Sequence, residues 1–172
     1  MGHLLCGIRL KVNNFFLKRK FNKVGVLSQI STGKFFNREN INIGNYCYIG
    51  PEAYWFGLGN INIGDGTIIG PCSKIWTANH NYKSEKMIPY DHDINLKPVN
   101  IGKGCWIGMN VSISPGVTIG DCCIIAIGSV VTKNIPSYSI VSGNPGTIIK
   151  ERDNIDKIKS LLLDEAFYLK NK

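Results

Sequence analysis

An apolar residue returns at every sixth position through most of this chain. Ile101, Ile107, Ile113, Ile119, Ile125 and Val131 form one unbroken run. Ile63, Ile69 and Ile75 form a second run, and Ile43, Ile49 and Trp55 a third. Glycine follows in seven of these 12 positions, and the fifth position is mostly small or β-branched, as at Cys47, Thr67, Ser73, Cys105, Val111 and Ser129. No single regular element has this period, because a helix places apolar residues three and four apart and a half-buried strand two apart. Six residues suit a short strand and a tight turn. Three such units close a triangular coil, and stacked coils make a parallel β-helix. An antiparallel sandwich would instead show turn signals about every 8–12 residues and strands of uneven length.

The period breaks twice. Ile43 to Ile63 exceeds three repeats by two residues, and Ile75 to Ile101 exceeds four repeats by two. The second gap holds Asn79-His80-Asn81-Tyr82-Lys83 and Ile88-Pro89-Tyr90-Asp91-His92-Asp93, which is polar, aromatic and irregular. It reads as a loop over residues 79–98 pushed out of the coil, and such insertions commonly carry binding function. Three segments follow: an N-terminal arm (1–40), a β-helix (41–150) and a C-terminal segment (151–172). In the last, Ile155, Ile158, Leu161, Leu162 and Leu169 have helical spacing after an Asp153 or Asn154 N-cap, which predicts a helix capping the last coil. Residues 3–24 are expected to be a basic amphipathic helix or an irregular segment.

The net charge of +8 is confined to one end. Eight basic residues precede the first acidic one, Glu39, and the remainder carries 12 of each sign. A neutral body argues against nucleic acid, while the basic arm admits contact with anionic lipid or a packing role. The N-terminus shows no signal peptide and no stretch reaches transmembrane length, so a cytoplasmic address is expected. The six cysteines form no C-x-x-C pair and read as reduced, small apolar side chains.

The Ile-Gly hexapeptides, and above all the stretch VNIGKGCWIGMNVSISPGVTIGDCCIIAIGSVVTKNIPSYSIVSGNPGTIIK at 99–150, resemble the hexapeptide-repeat acyltransferases, in particular the sugar O-acetyltransferases, and the 79–98 loop, with Ile88-Pro89-Tyr90-Asp91 and its Lys97-Pro98-Val99 return, resembles those of the capsule and O-antigen type. The resemblance implies an all-β fold, a left-handed parallel β-helix, which is an exception to the usual right-handed crossover. It also implies a homotrimer with active sites between subunits, acetyl-CoA as donor and a saccharide acceptor. His80, in the context Thr77-Ala78-Asn79-His80, matches the family's catalytic base. A neutral imidazole would take the proton of a sugar hydroxyl as the oxygen attacks the thioester, with no acyl-enzyme.

The same resemblance places Thr132, Lys133 and Lys150 on the coenzyme, with Lys150 near its phosphates. Met109 and Ile127 stand along the coenzyme path where the family has smaller residues. Trp106 matches an aromatic near the acetyl and acceptor ends. Glu52 stands close to the family's acceptor contact, whose asparagine is replaced here by Gly50. Tyr82, Tyr90 and Asp91 would stack on a pyranose or accept its hydroxyls, or else pin the loop. No metal is expected, because a catalytic centre needs converging ligands and the coil region has one histidine. Three alternatives share the scaffold: a streptogramin-type xenobiotic acetyltransferase, an amino-sugar N-acetyltransferase, and a non-catalytic β-helix. Acceptor preference and acetyl-CoA binding discriminate among them.

Overall fold

The computed structural model describes residues 20–172. The chain winds as a left-handed parallel β-helix in which each coil gives one short strand to each of three sheets. The first coil holds β1 (Lys23–Val24), β2 (Gln29–Ile30) and β3 (Gly33–Phe36), and the second β4 (Ile41–Ile43), β5 (Tyr48–Ile49) and β6 (Ala53–Phe56). The third holds β7 (Ile61–Ile63), β8 (Ile68–Ile69) and β9 (Lys74–Trp76) and then leaves the coil through β10 (Ala78–His80) and β11 (Ile94–Leu96). The fourth resumes with β12 (Val99–Ile101), β13 (Trp106–Ile107) and β14 (Ser112–Ile113), and the fifth with β15 (Thr118–Ile119), β16 (Ile124–Ile125) and β17 (Val130–Val131). The chain ends on β18 (Ser139–Ser142), β19 (Thr147–Glu151) and α1 (Ile155–Leu163). The first sheet begins with β1, the second with β2 and the third with β3. All their pairings are parallel except β18 with β19, which is antiparallel.

The register explains both breaks in the period. Ile101 pairs with Ile119, a step of 18 residues and three hexapeptides. Ile43 pairs with Ile63, a step of 20, because the corner between the third and first sheets holds two extra residues. Ile63 pairs with Ile101, a step of 38, so 20 residues leave the coil as the loop. That loop is less irregular than its sequence suggests, since β10 and β11 pair antiparallel at its base, with His80 opposite Ile94.

All 12 period-six residues point inward and none is more than 5% exposed. Burial of each aliphatic side chain contributes about 1.5–3 kcal/mol, so these columns are the main drive to fold. The glycine after each is set by close approach between coils and not by a left-handed backbone. A β-carbon on Gly64 would lie 2.6 Å from the carbonyl carbon of Gly102 in the next coil. The left-handed residues come two positions later, as at Gly66 and Gly104, where the chain turns the corner between the first and second sheets.

The fifth hexapeptide position has its own role at that corner. Ser28 Oγ, Cys47 Sγ, Thr67 Oγ1, Cys105 Sγ and Cys123 Sγ donate in turn to the carbonyls of Gly44, Gly64, Gly102, Gly120 and Pro136, each one coil onward, at 2.7–3.2 Å. These cysteines thus act as weak donors besides filling space, and burial pushes the Cys47 thiol up to about 11. Thr67 Oγ1 also accepts from Cys105 N at 3.1 Å. Thr67→Val keeps the shape and orphans both partners, so it should cost about 1–3 kcal/mol in urea unfolding. A loss below a few tenths would show that the ladder adds nothing. On the outer face of the first sheet, the side chains of Asn22, Asn42, Asn62 and Asn100 form a second, amide ladder at 2.7–2.9 Å.

Both ends differ from expectation. The coils begin at Lys23 and not after residue 40, so Lys23, Lys34 and Arg38 belong to the β-helix. The sequence missed this coil because its β1 and β2 corners lack Ile-Gly pairs. Phe21 closes the open end by packing edge-on against Phe35, and Phe35 against Trp55, each at 5.3 Å. A helix over 3–24 does not reach Lys23, and its part within residues 1–19 lies outside the described residues. At the other end, β19 and not the helix covers the last strand of the second sheet. The α1 helix is shorter than its apolar spacing, and Asn154 at its N-cap makes no side-chain cap bond. The segment after it runs back along the coils, with Phe167 against Gly66 and the Tyr46 ring. Among the described residues no helix is long and apolar enough to cross a membrane.

Candidate active site

The loop leaves the coil at the corner between the third and first sheets, and Thr77 fixes its exit. Thr77 is fully buried. Its Oγ1 donates to Phe56 O at 2.7 Å and accepts from Gly59 N at 2.8 Å. Lys97 N donates to Thr77 O at 2.9 Å, which closes the neck. The threonine of the Thr-x-x-His context is therefore an anchor, and three residues on it delivers His80 to the surface at the end of β10.

His80 faces an open cleft of about 530 Å³. The cleft is lined by Asn79, Asn81, Tyr82, Lys83, Asn95 and Lys97 from the loop and by Ser114, Pro115 and Thr132 from the coils below. The imidazole stacks on Tyr90, with centroids 3.8 Å apart and planes 12° from parallel. Asp91 holds this part of the loop. Its carboxylate accepts from Asn81 Nδ2 at 2.8 Å and from Asp93 N at 2.9 Å. Desolvation opposes its ionisation, but hydrogen bonds from Asp93, Ser84 and Asn81 outweigh that and hold the carboxyl below its usual range. Of the two readings for Asp91, the loop pin has the hydrogen bonds in this chain.

The structure brings His80, Tyr82 and Thr132 around one cleft, with Lys133 next to Thr132 at the same corner. It does not bring the other candidates there. Met109 and Ile127 sit at the corner between the second and third sheets, where Gly128 N bonds Met109 O at 2.9 Å. Glu52 stands at that corner one coil before Cys72, beside Lys34 and Tyr54 in a shallow cleft of about 310 Å³. Trp106 lies on the outer face of the second sheet, 60% exposed, at the edge of a cavity under α1. Lys150 is in β19, paired with Asp153 at 3.0 Å. Among the described residues no three His, Cys, Asp or Glu side chains gather as metal ligands.

Residue patterns had pointed to Tyr90 as a sugar platform or a loop pin and not as a partner of the imidazole, and Lys83, Lys97 and Ser114 had no signal beyond polarity. An aromatic face on the third sheet was also missed. Phe36, Tyr54, Phe56 and Trp76 project outward from adjacent strands, with Tyr54 and Trp76 stacked at 6.0 Å and Phe56 and Trp76 at 4.7 Å. The signal was present: in Lys34-Phe35-Phe36, Tyr54-Trp55-Phe56 and Lys74-Ile75-Trp76 the middle residue is inward, so its neighbours must face out.

Comparison with known proteins decides the family. The model of the bacterial transferase hexapeptide (six repeats) matches residues 98–133. A maltose O-acetyltransferase from Clostridium difficile 630 is 33% identical, with a TM-score of 0.73 over 80% of this chain and 73% of its own. The chain belongs to the hexapeptide-repeat acetyltransferase family. A further hexapeptide-repeat acetyltransferase, from Vibrio cholerae O1 biovar eltor and complexed with acetyl-coenzyme A, superposes with a TM-score of 0.76 at 29% identity over 82% of this chain and 77% of that one. A protein of Escherichia coli (strain K12) that carries the name colanic acid biosynthesis acetyltransferase is 34% identical over 112 residues, 65% of this chain. This hexapeptide-repeat chain spans 59% of the length of that relative.

Proposed function

We propose that this chain is an acetyl-CoA-dependent O-acetyltransferase acting on a sugar hydroxyl of a surface polysaccharide or its precursor. The observation that carries the reading is His80, held at the mouth of an open cleft beside Thr132, in a family with solved members named for acetyl-coenzyme A and for maltose. In this reading an unprotonated His80 nitrogen removes the acceptor hydroxyl proton while the oxygen bonds to the thioester carbon. The carbonyl becomes an oxyanion, stabilised by backbone N–H groups at the coil corner. The C–S bond then breaks, and His80 passes its proton to the departing sulfur. Thr132, Lys133 and Lys150 serve the coenzyme, and Tyr82 the sugar. Cytoplasmic action belongs to the same reading, and of the eight basic residues behind the proposed lipid contact of the arm, Arg9, Lys11, Lys18 and Arg19 lie outside the described residues.

The outward aromatic face supports a homotrimer. Phe36, Tyr54 and Trp76 are each about two-fifths exposed on the third sheet, a contiguous apolar surface of the kind that marks an interface. If three copies pack on this sheet about a threefold axis, its two flanking corners meet across each interface. The corner carrying Glu52, Met109 and Ile127 of one copy then faces the corner carrying His80, Thr132 and Lys133 of the next. The candidates that stay apart within one chain thereby join into one site.

The test is acceptor-dependent release of free CoA from acetyl-CoA, read by chromatography so that the protein's own cysteine thiols add nothing to the signal. Release with sugars supports the proposal. Release only with amino sugars or a streptogramin would move the protein to those alternatives, and neither release nor acetyl-CoA binding would leave a scaffold.

A further inference from the structure

We infer that the acceptor bound in the His80 cleft carries a negative charge: it is a sugar bearing a carboxylate or a phosphate. This deepens the acetyl-transfer reading and rests on it. Two ammonium groups, Lys83 and Lys97, line the cleft, and no Asp or Glu does. The loop carries as many acids as lysines, but Glu85, Asp91 and Asp93 lie outside the lining, and both Asp91 oxygens are engaged by Asn81 and Asp93. The ion pairs among the described residues use Lys103, Lys150, Lys159 and Lys170, so neither cleft lysine is neutralised. Residues 1–19 contain no acidic side chain that would change this.

Lys97 is also held in place. Its stem lies on Gly116, where a β-carbon would come within 3.2 Å of the Lys97 Cδ. Gly116 has φ 84, so the corner below is shaped to receive that stem. A cleft walled by two unpaired ammonium groups, three asparagines and a tyrosine offers charge-assisted bonds to an anion and neutral bonds to hydroxyls. The coenzyme does not account for both lysines. With its thioester at His80, its phosphates lie at the far end of the pantetheine arm. In a threefold assembly Glu52 of a second copy would bring one carboxylate against two ammonium groups, and the cleft would stay positive.

The test compares methyl glucoside, methyl glucuronide and glucose 1-phosphate as acceptors, by turnover and, separately, by calorimetric binding to the protein with CoA present. At least one anionic sugar should exceed the neutral one about tenfold in kcat/KM, and raising salt from about 20 to about 200 mM should shrink that ratio. K83Q/K97Q should bring the ratio close to one. Which anionic arm responds separates carboxylate from phosphate. Equal or better use of methyl glucoside overturns the inference while leaving acetyl transfer standing. A K83Q/K97Q protein that keeps the ratio but loses affinity for acetyl-CoA also overturns it, since the lysines would then serve the coenzyme. Charge-dependent binding without turnover would uphold the anionic site and sink the transferase reading. Absence of both turnover and charge-dependent binding would sink both.

Discussion

His80→Ala should lower acceptor-dependent acetyl transfer about 10²–10⁴-fold, the range that a positioned general base contributes. The loss should fall on kcat and kcat/KM alike, because proton removal matters in the transition state and not in binding the ground state. The geometry favours a large effect. Thr77 and Lys97 fix the loop neck, β10 sets the direction of His80, and the Tyr90 ring 3.8 Å away limits the plane of the imidazole. Among the described residues no second histidine lines the cleft to take over. The measurement is CoA release at saturating acetyl-CoA, with circular dichroism to confirm that the variant is folded. Retention of more than about a tenth of the wild-type rate would remove His80 from the role of base.

What the sequence made legible follows from what the fold repeats. The inward columns, the glycines between coils and the small fifth position recur with each coil, so six-residue spacing exposed them without any knowledge of the neighbouring strand. The excess of two residues between Ile43 and Ile63 and the 20-residue excursion after Trp76 were legible for the same reason, as departures from a fixed count. The first coil was not, because Phe35 occupies a column where other coils carry tryptophan, isoleucine or valine and no Ile-Gly pair marks its corners. The path of the C-terminal segment was hidden too. Its docking depends on Gly66 and Gly104 leaving room at one corner, a property of distant residues and not of the helix itself. The cleft lies between these cases. His80 and Thr132 were found through motifs, whereas Tyr90, Lys83 and Lys97 are brought to the histidine by β10–β11 pairing and by the Asp91 hydrogen bonds. Spacing along the chain does not encode that fold-back.

Trp55→Ala should destabilise the protein by about 3–5 kcal/mol, the largest effect expected from any single core truncation here. Trp55 is fully buried in the second coil. It stands in register between Phe35 and Ile75, with Phe35 edge-on at 5.3 Å. Its Nε1 donates to Ser73 Oγ at 3.0 Å, so truncation opens a cavity and orphans a buried hydroxyl together. Trp55→Phe fills most of the space and loses mainly the hydrogen bond, so about 1–2 kcal/mol is expected. Because each coil contacts only its neighbours, the damage should be local. Hydrogen exchange should speed up in β1–β9 and change little in β12–β18. The loop neck should loosen with the first group, since Thr77 is tied to Phe56, the residue after Trp55. A uniform loss of protection over all coils would show instead that the solenoid unfolds as one unit. In that case the aromatic plug of Phe21, Phe35 and Trp55 would stabilise the His80 cleft only through the stability of the whole chain.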